Sequence, residues 1–200
     1  GTNGRHSRRT QRRCCRMSSE TDLPSGWQRV SLEQIADVVP GNSPPSSTYN
    51  EEGEGLPFYQ GKTEFGDLYP QPEKWCTDPK KVAEEGDVLV SVRAPVGPTN
   101  LCPDRSCIGR GLAAVRPKPG IQSRYILWAI RAFENDLARQ GTGTTFDSIS
   151  SGDLREFEIP LAPSTQRESI VAKIEELFSN LDAGMDDLQA AGQQLERYRL

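Results

Sequence analysis

Residues 165–200 read TQRESIVAKIEELFSNLDAGMDDLQAAGQQLERYRL, and this stretch decides how the rest of the chain is interpreted. Its apolar positions follow one another at alternating steps of four and three residues, the 3.5-residue period of a coiled-coil seam. The seam positions are Ile170, Ile174, Leu177, Leu181, Gly184, Leu188, Ala191, Leu195 and Tyr198. At about 1.5 Å per residue, the segment predicts a helical rod roughly 50 Å long.

The beginning of this helix and the need for a partner also follow from the sequence. Pro160 and Pro163 end whatever precedes the helix, and Thr165 with Glu168 three residues later forms a capping-box pattern. A single rod cannot bury its own seam, so we expect a partner helix from a continuation of the chain or from a second copy. The alternative is a long helix that packs along its own domain.

The first 22 residues differ from the rest of the chain in composition. They carry six arginines against two acidic residues, with no apolar periodicity and no hydrophobic signal segment. We expect a disordered basic tail over residues 1–22, with Met17 as the natural translation start. A transit peptide or a nucleic-acid-binding arm is the alternative interpretation.

The tail conceals the acidity of the body. The chain has 24 basic and 28 acidic residues; without the 6 and 2 of the tail it has 18 and 26, a net charge of −8. A protein that acts on DNA with this balance must concentrate its positive charge locally or obtain it from partners. The composition therefore disfavours a lone, non-specific DNA binder.

Cysteine and histidine usage restricts the compartment and the metal chemistry. The five cysteines form no paired framework, which is typical of a reducing, cytoplasmic compartment. The one histidine, His6, lies in the tail, and Cys102 and Cys107 have no second pair to complete a zinc site. No apolar run approaches the roughly 20 residues that cross a membrane, so we expect a soluble protein without a metal.

The region between the tail and the rod alternates between strand and helix patterns. Its most apolar run, residues 86–93, is rich in valine and predicts a central, buried strand. The other predicted strands are Leu56–Gln60, Leu112–Arg116 and Phe157–Leu161; the predicted helices are Ser31–Val38, Ser123–Arg139 and a short turn around Ile149. Together they predict an α+β fold, with a mixed-sheet domain over residues 23–163 and a coiled-coil helix over residues 164–200.

Residues that could carry out catalysis do not stand out in this pattern. Because no histidine lies outside the tail, no Ser–His or Cys–His pair is available. The segment Gly141-Thr-Gly-Thr-Thr145 follows a predicted helix, lacks the spacing of a dinucleotide-binding loop and has no Walker lysine. No carboxylate–lysine set typical of a nuclease is evident either, so the sequence favours a binding protein over an enzyme.

Polar side chains in loops and at predicted strand ends are the candidates for binding. They are Gln60, Lys62, Arg93, Arg105, Arg110, Thr142, Thr144 and Thr145. Gln and Arg can pair bidentately with base edges, and threonine hydroxyls can hold phosphate oxygens. Each residue alone is more simply explained as a solvated loop side chain. Only their occurrence together in one small domain indicates DNA binding.

Several short motifs occur in an order that is specific when they are taken together. They are Leu23-Pro-Ser-Gly-Trp27, Gly41 with Ser43-Pro44, residues 86–97, Ile108-Gly-Arg-Gly111, Gly141-Thr-Gly-Thr-Thr-Phe146, Ile159-Pro-Leu161, and Gln166 with Ile170-Val171. From Leu23 onward the chain resembles one half of a specificity subunit of type I restriction-modification systems, which serve bacterial defence. The resemblance departs at Thr165, where the family usually has a glutamate.

The resemblance implies a function and a set of partners. It implies a target recognition domain that reads one half of a bipartite double-stranded DNA site, and a conserved helix that packs antiparallel on a second helix as a molecular ruler. Methyltransferase (modification) subunits would bring S-adenosylmethionine and restriction (motor) subunits ATP, so this chain would bind no cofactor and carry no catalysis. Since a full subunit has two such domains and helices, we expect either a half-subunit able to form an antiparallel homodimer or a fragment.

Two hypotheses can be separated by the position of the basic loops. The first is sequence-specific DNA recognition, and the second is a coiled-coil assembly module whose globular domain binds protein. For DNA binding, Lys62, Arg93, Arg110 and the loop 142–145 are expected to converge on one face. For a protein-binding module, they are expected to scatter.

Overall fold

The computed structural model describes residues 23–140 and 148–198. The predictions for the tail (1–22), for Thr142, Thr144 and Thr145, and for the side chains of Leu195 and Tyr198 lie outside the described residues. The strands are β1 (Gln28–Ser31), β2 (Ala36–Pro40), β3 (Tyr49–Asn50), β4 (Leu56–Tyr59), β5 (Lys74–Cys76), β6 (Val82–Ala83), β7 (Val88–Ser91), β8 (Thr99–Leu101), β9 (Ser106–Ile108), β10 (Leu112–Pro117) and β11 (Glu158–Leu161). The helices are α1 (Leu32–Ile35), α2 (Ser123–Ala132), α3 (Glu134–Arg139), α4 (Ser151–Glu156) and α5 (Ser164–Tyr198).

Three sheets build the body, and the predicted α+β class is confirmed. One sheet has the order β2-β10-β7-β8 and is antiparallel; a second has the order β3-β5-β4-β9-β6, in which β4 and β9 run parallel; β1 and β11 form a separate pair. All four residues of β7 are buried, as the valine-rich run predicts for a central strand. The main core lies between this sheet and α2, around Val88, Val90 and Ile126.

The predicted helix over residues 31–38 is wrong in its second half. Only α1 is helical, and its start is stabilised because the backbone N–H of Ser31 donates to Oε1 of Gln34 at 3.0 Å. From Ala36 the chain becomes β2 and pairs with β10, with Val38 opposite Val115. The pairing partner supplies ladder hydrogen bonds and burial for this β-branched run, which outweigh the weak helical pattern.

The predicted single helix over residues 123–139 is also wrong, because α2 and α3 are separated at Phe133. This residue has φ −116° and ψ 23°, outside helical geometry. The chain turns where the loop at Gly97 packs against it: a side chain on Gly97 would place its Cβ 2.4 Å from Cγ of Glu134. Farther on, the helical turn predicted around Ile149 begins at Ser151 instead, capped by the Ser150 hydroxyl, which accepts from the N–H of Asp153 at 3.1 Å.

The first turns of α5 dock on the body through a face that is not the heptad seam. Val171 is buried, Glu175 pairs with Arg124, and the Phe178 ring stacks on Trp128 with centroids 5.0 Å apart. These helix positions are spaced by four and three residues and so share one face. Packing along its own domain, the alternative interpretation, therefore describes only the beginning of the helix.

Most of the seam remains uncovered. Leu177, Leu181 and Leu188 are 57%, 58% and 75% exposed, and Met185 beside them is 60% exposed. A helix with such large apolar side chains in solvent has buried only one of its two apolar faces. The long C-terminal helix of the prediction is confirmed, and its seam is available for a partner.

Candidate nucleic-acid interface

Several strands of the two larger sheets meet at one edge of the body. Strand β9 runs parallel to β4, so both end there, and the turn between β9 and β10 packs directly on the segment that follows β4. A Cβ on Gly111 would lie 2.4 Å from the carbonyl oxygen of Gln60, so the close approach requires glycine. Strand β7 ends at the same place, because Val92 donates its N–H to the Gly111 carbonyl at 2.9 Å.

Three of the predicted cations lie at this edge. Arg93 follows β7, and the buried Ser91 hydroxyl donates to its carbonyl oxygen at 3.0 Å, which holds the turn. Arg110 lies in the β9–β10 turn, where its backbone N–H donates to the Ser43 hydroxyl at 3.2 Å. Lys62 opens a short 3-10 turn after β4, which is closed by the Glu64 carboxylate accepting from the N–H of Gly61 at 3.1 Å.

Two clefts open at this edge. The smaller, about 190 Å³, has Arg93 and Arg110 in its lining together with the hydroxyl residues Ser148 and Ser151. Ser148, the first described residue after residues 141–147, pairs with Arg93 in an isolated antiparallel bridge. The larger cleft, about 490 Å³, is lined by Gln60, Lys62, Thr63, Phe65, Ala94 and Pro95. The segment Arg93–Pro95 contributes to both clefts.

Two further lysines lie at the same edge, and sequence reasoning missed them. Lys74 is the first residue of β5 and lies opposite Phe58, two residues before Gln60 on the neighbouring strand. Lys81 immediately precedes β6, and its carbonyl accepts from the N–H of Ile108 at 3.0 Å, next to the β9–β10 turn. Only the strand register brings them here, since both lie in segments with no distinctive motif.

We call this surface the basic edge and define it by Gln60, Lys62, Lys74, Lys81, Arg93 and Arg110. Within residues 23–140 and 148–198, no salt bridge joins its five cations to a carboxylate, and all five are exposed. The strand order β5-β4-β9-β6 contains three inter-strand spacings of about 4.8 Å each, so the edge is about 14 Å wide across these strands.

Arg105 lies elsewhere. It precedes β9, at the opposite end of that strand from Arg110, and its Nε is 3.5 Å from the Glu84 carboxylate. Glu85 and Asp104 are exposed at this same end, and the buried Asp87 carboxylate binds Arg116 at 2.8 Å. At this end the Glu84 and Asp87 carboxylates thus have arginine partners, whereas the five cations of the basic edge have no salt-bridge partner among the described residues.

The part of the chain that is described offers little for metal or thiol chemistry. It contains no cluster of three or more His, Cys, Asp or Glu side chains that could hold a metal ion. Cys76, Cys102 and Cys107 are buried free thiols, and burial raises the pKa of Cys107 to about 12 and that of Cys102 to about 11. Such thiols are protonated and unreactive near neutral pH. None of the described helices combines the length and apolarity that crossing a bilayer requires.

Comparison with known proteins identifies the family. The family model described as "Type I restriction modification DNA specificity domain" matches residues 24–192. The chain belongs to this family. A putative type I restriction enzyme MjaX specificity subunit of Methanocaldococcus jannaschii is 39% identical to this specificity domain over 156 residues, 76% of this chain and 37% of that protein. The MjaIX specificity subunit of the same organism is 24% identical, over 81% of this chain and 40% of that protein.

Solved structures agree with the family assignment. The HsdS subunit from Thermoanaerobacter tengcongensis superposes on the specificity domain with a TM-score of 0.72 and 46% identity, covering 81% of this chain and 40% of that one. A structure described as the basis of complex assembly and conformational transition of the type I R-M system superposes with a TM-score of 0.79 and 45% identity, covering 88% and 44%. The chain thus spans about two fifths of the length of these relatives.

Proposed function

We propose that the chain reads one half of a bipartite double-stranded DNA site as the non-catalytic specificity component of a type I restriction-modification complex. The observation that carries this proposal is the basic edge: five exposed cations, without a salt-bridge partner among the described residues, converge at one end of the body, in a chain whose net charge outside the tail is −8. Concentrating positive charge on one face is what an acidic protein needs in order to meet a phosphate backbone. The edge, about 14 Å wide, matches the rise of about four base pairs, a suitable length for one half-site.

We further propose a division of labour along the chain and with its partners. Residues 23–163 would form the recognition domain and residues 164–200 the spacer helix, with Thr142, Thr144 and Thr145 as further DNA contacts. Modification subunits would supply S-adenosylmethionine, and a restriction subunit would supply ATP. The exposed seam of α5 would pair antiparallel with a second conserved helix, from a second copy or from a longer subunit. A cytoplasmic location accords with these partners.

A protein-binding globular domain is the competing function. If the globular domain bound protein, its basic loop residues would be expected to scatter over the surface. Lys62, Arg93 and Arg110 instead lie at the same edge, which favours DNA. The edge also lacks a large exposed apolar side chain among the described residues, whereas α5 carries five of them. A docking site for protein is thus better supported on α5 than on the basic edge.

The proposal is tested by neutralising the edge. Lys62→Gln, Arg93→Gln and Arg110→Gln are each compared with Arg105→Gln, an exposed arginine at the acidic end. DNA binding is measured with the modification subunits present, by fluorescence anisotropy over a salt series. We expect each edge variant to lower affinity and to reduce the slope of log K against log salt by about 0.9 for each phosphate that is no longer neutralised. Arg105→Gln is expected to leave both unchanged.

Two outcomes contradict the proposal. If the three edge variants bind DNA as the unchanged chain does, the basic edge is not the interface and the protein-binding function gains support. If Arg105→Gln weakens binding as much as the edge variants, the effect comes from net charge and not from a defined surface. Sequencing of methylated bases in the source organism would independently display the bipartite site.

A further inference from the structure

We infer that the two clefts of the basic edge perform different tasks: the Arg93–Arg110 cleft binds a backbone phosphate, and the Gln60 cleft reads an A·T base pair. This inference rests on the proposed function and assigns contacts within that same surface. It makes Gln60 a specificity-determining residue and the two arginines sequence-independent anchors.

The smaller cleft has the size and chemistry of a phosphate site. Its volume of about 190 Å³ lies below the range of about 300–1,000 Å³ that is usual for small-molecule pockets and can admit a group the size of a phosphate. Two arginines and two serines are among the residues that line it, and guanidinium and hydroxyl groups are donors that suit phosphate oxygens. Its arginines lie in turns fixed by backbone hydrogen bonds, such as the Ile149 N–H donating to the Val92 carbonyl at 3.0 Å.

The larger cleft has a different composition. Gln60 is its one amide, and the Phe65 ring, Ala94 and Pro95 supply apolar walls. A glutamine amide matches N6 and N7 of adenine bidentately in the major groove, and apolar side chains contact the thymine methyl group. Lys62 also lines this cleft, and lysine prefers a guanine edge; the A·T assignment therefore places the Gln60 amide on the base and the Lys62 ammonium group on a phosphate, as the salt series on Lys62→Gln tests.

The backbone of Gln60 is held rigidly enough for such a role. Its carbonyl faces Gly111 and its Cα faces Gly109, so the β9–β10 turn packs on it directly. The amide itself is exposed and accepts or donates no side-chain hydrogen bond within the described residues. The fixed backbone confines the loss of entropy on binding to the side chain, and the unpaired amide has no hydrogen bond within the protein to break before it meets a base edge.

The experiment separates base reading from phosphate binding. The half-site is first located by sequencing methylated bases, and a duplex panel then replaces each of its base pairs in turn. The chain with its modification subunits, unchanged or carrying Gln60→Ala, Arg110→Gln or Gln28→Ala, is titrated with the panel. Gln28 is an exposed glutamine on β1, in the separate two-stranded sheet, and serves as the matched control.

We expect the unchanged chain to bind about 10 to 100 times more weakly when one particular A·T pair is replaced. Gln60→Ala should lose this preference at that position alone and keep the salt slope, whereas Gln28→Ala should keep both. Arg110→Gln should lose affinity equally for every duplex and keep every base preference.

The results distinguish the two levels of the proposal. If the unchanged chain does not prefer its site over random duplex, the proposed function itself fails. If the unchanged chain does prefer its site, the inference about the Gln60 cleft is wrong in any of three cases. These are that Gln60→Ala keeps all base preferences, that it loses a preference for a G·C pair, or that it weakens binding to all duplexes equally. If Arg110→Gln changes one base preference, the phosphate assignment is wrong.

Discussion

The uncovered seam of α5 leads to a prediction about self-association. Replacing Leu181 with aspartate places a carboxylate in the middle of the seam, where the leucine is 58% exposed in the single chain. Ser179→Asp is the matched control, because Ser179 is also exposed but lies at the heptad position opposite the seam. Both variants add the same charge to the same turn of the helix.

The magnitude follows from the exposed fractions. Burying the remaining surface of Leu177, Leu181 and Leu188 contributes about 1–2 kcal/mol for each side chain. Two antiparallel copies therefore gain roughly 6–12 kcal/mol from these positions, against an association cost on the order of 4–15 kcal/mol, so the dimer is expected to be weak. Leu181→Asp removes two of these contributions and buries two carboxylates, at a cost of several kcal/mol each. Pairing should then be lost altogether.

Light scattering and sedimentation over a concentration series up to about 100 μM test this expectation, since association of this strength has a Kd near the micromolar range or above. The unchanged chain and Ser179→Asp should associate as concentration rises, and Leu181→Asp should remain a folded monomer. The reasoning is refuted if the unchanged chain stays monomeric throughout, or if the two aspartate variants behave alike. Circular dichroism confirms that each variant is folded.

Two further predictions concern the stability of the body. Arg116→Met leaves the Asp87 carboxylate, 2% exposed, without its bidentate partner and should lower the free energy of unfolding in urea by about 2–4 kcal/mol; Arg105→Met, which breaks an exposed pair, should change it by less than about 0.5 kcal/mol. Because the pKa values of Cys102 and Cys107 are raised in the folded chain, these thiols ionise at lower pH in the unfolded chain than in the folded one. The free energy of unfolding should therefore be constant below about pH 9 and fall above it, as the pH approaches about 11 to 12. Urea unfolding at several alkaline pH values, with Cys107→Ala expected to flatten the decline, measures this; a flat profile for the unchanged chain would contradict it.

The helices show where reasoning from local pattern succeeds and where it fails. The long α5 was predictable because its seam repeats without interruption and depends only on neighbouring residues along the helix. The segment from Ala36 to Val39 was not, because its conformation depends on β10, which lies more than 70 residues later in the chain. The break at Phe133 likewise lies where the Gly97 loop packs against Glu134, a contact between segments more than 30 residues apart.

The basic edge shows the same limit for the candidate site. Lys62, Arg93 and Arg110 were predictable because each follows or precedes an apolar run beside glycine or proline, which indicates a strand end. Lys74 and Lys81 lie on or beside short strands of three and two residues, whose register is set by β4 and β9. The position of Arg105 at the opposite end of β9 from Arg110 was equally invisible before the strand direction was known.

Periodicity and composition, which are properties of the chain alone, were enough to predict the α+β class, the central strand β7, the helical rod with its apolar seam and the excess of acidic residues outside the tail. The tertiary structure decided which cations meet, which face of α5 docks on the body, and which apolar side chains remain in solvent. These features depend on contacts between residues far apart in the sequence, in registers that no local pattern specifies. A strand that reversed its direction would keep its composition and move its charged end to the other side of the molecule.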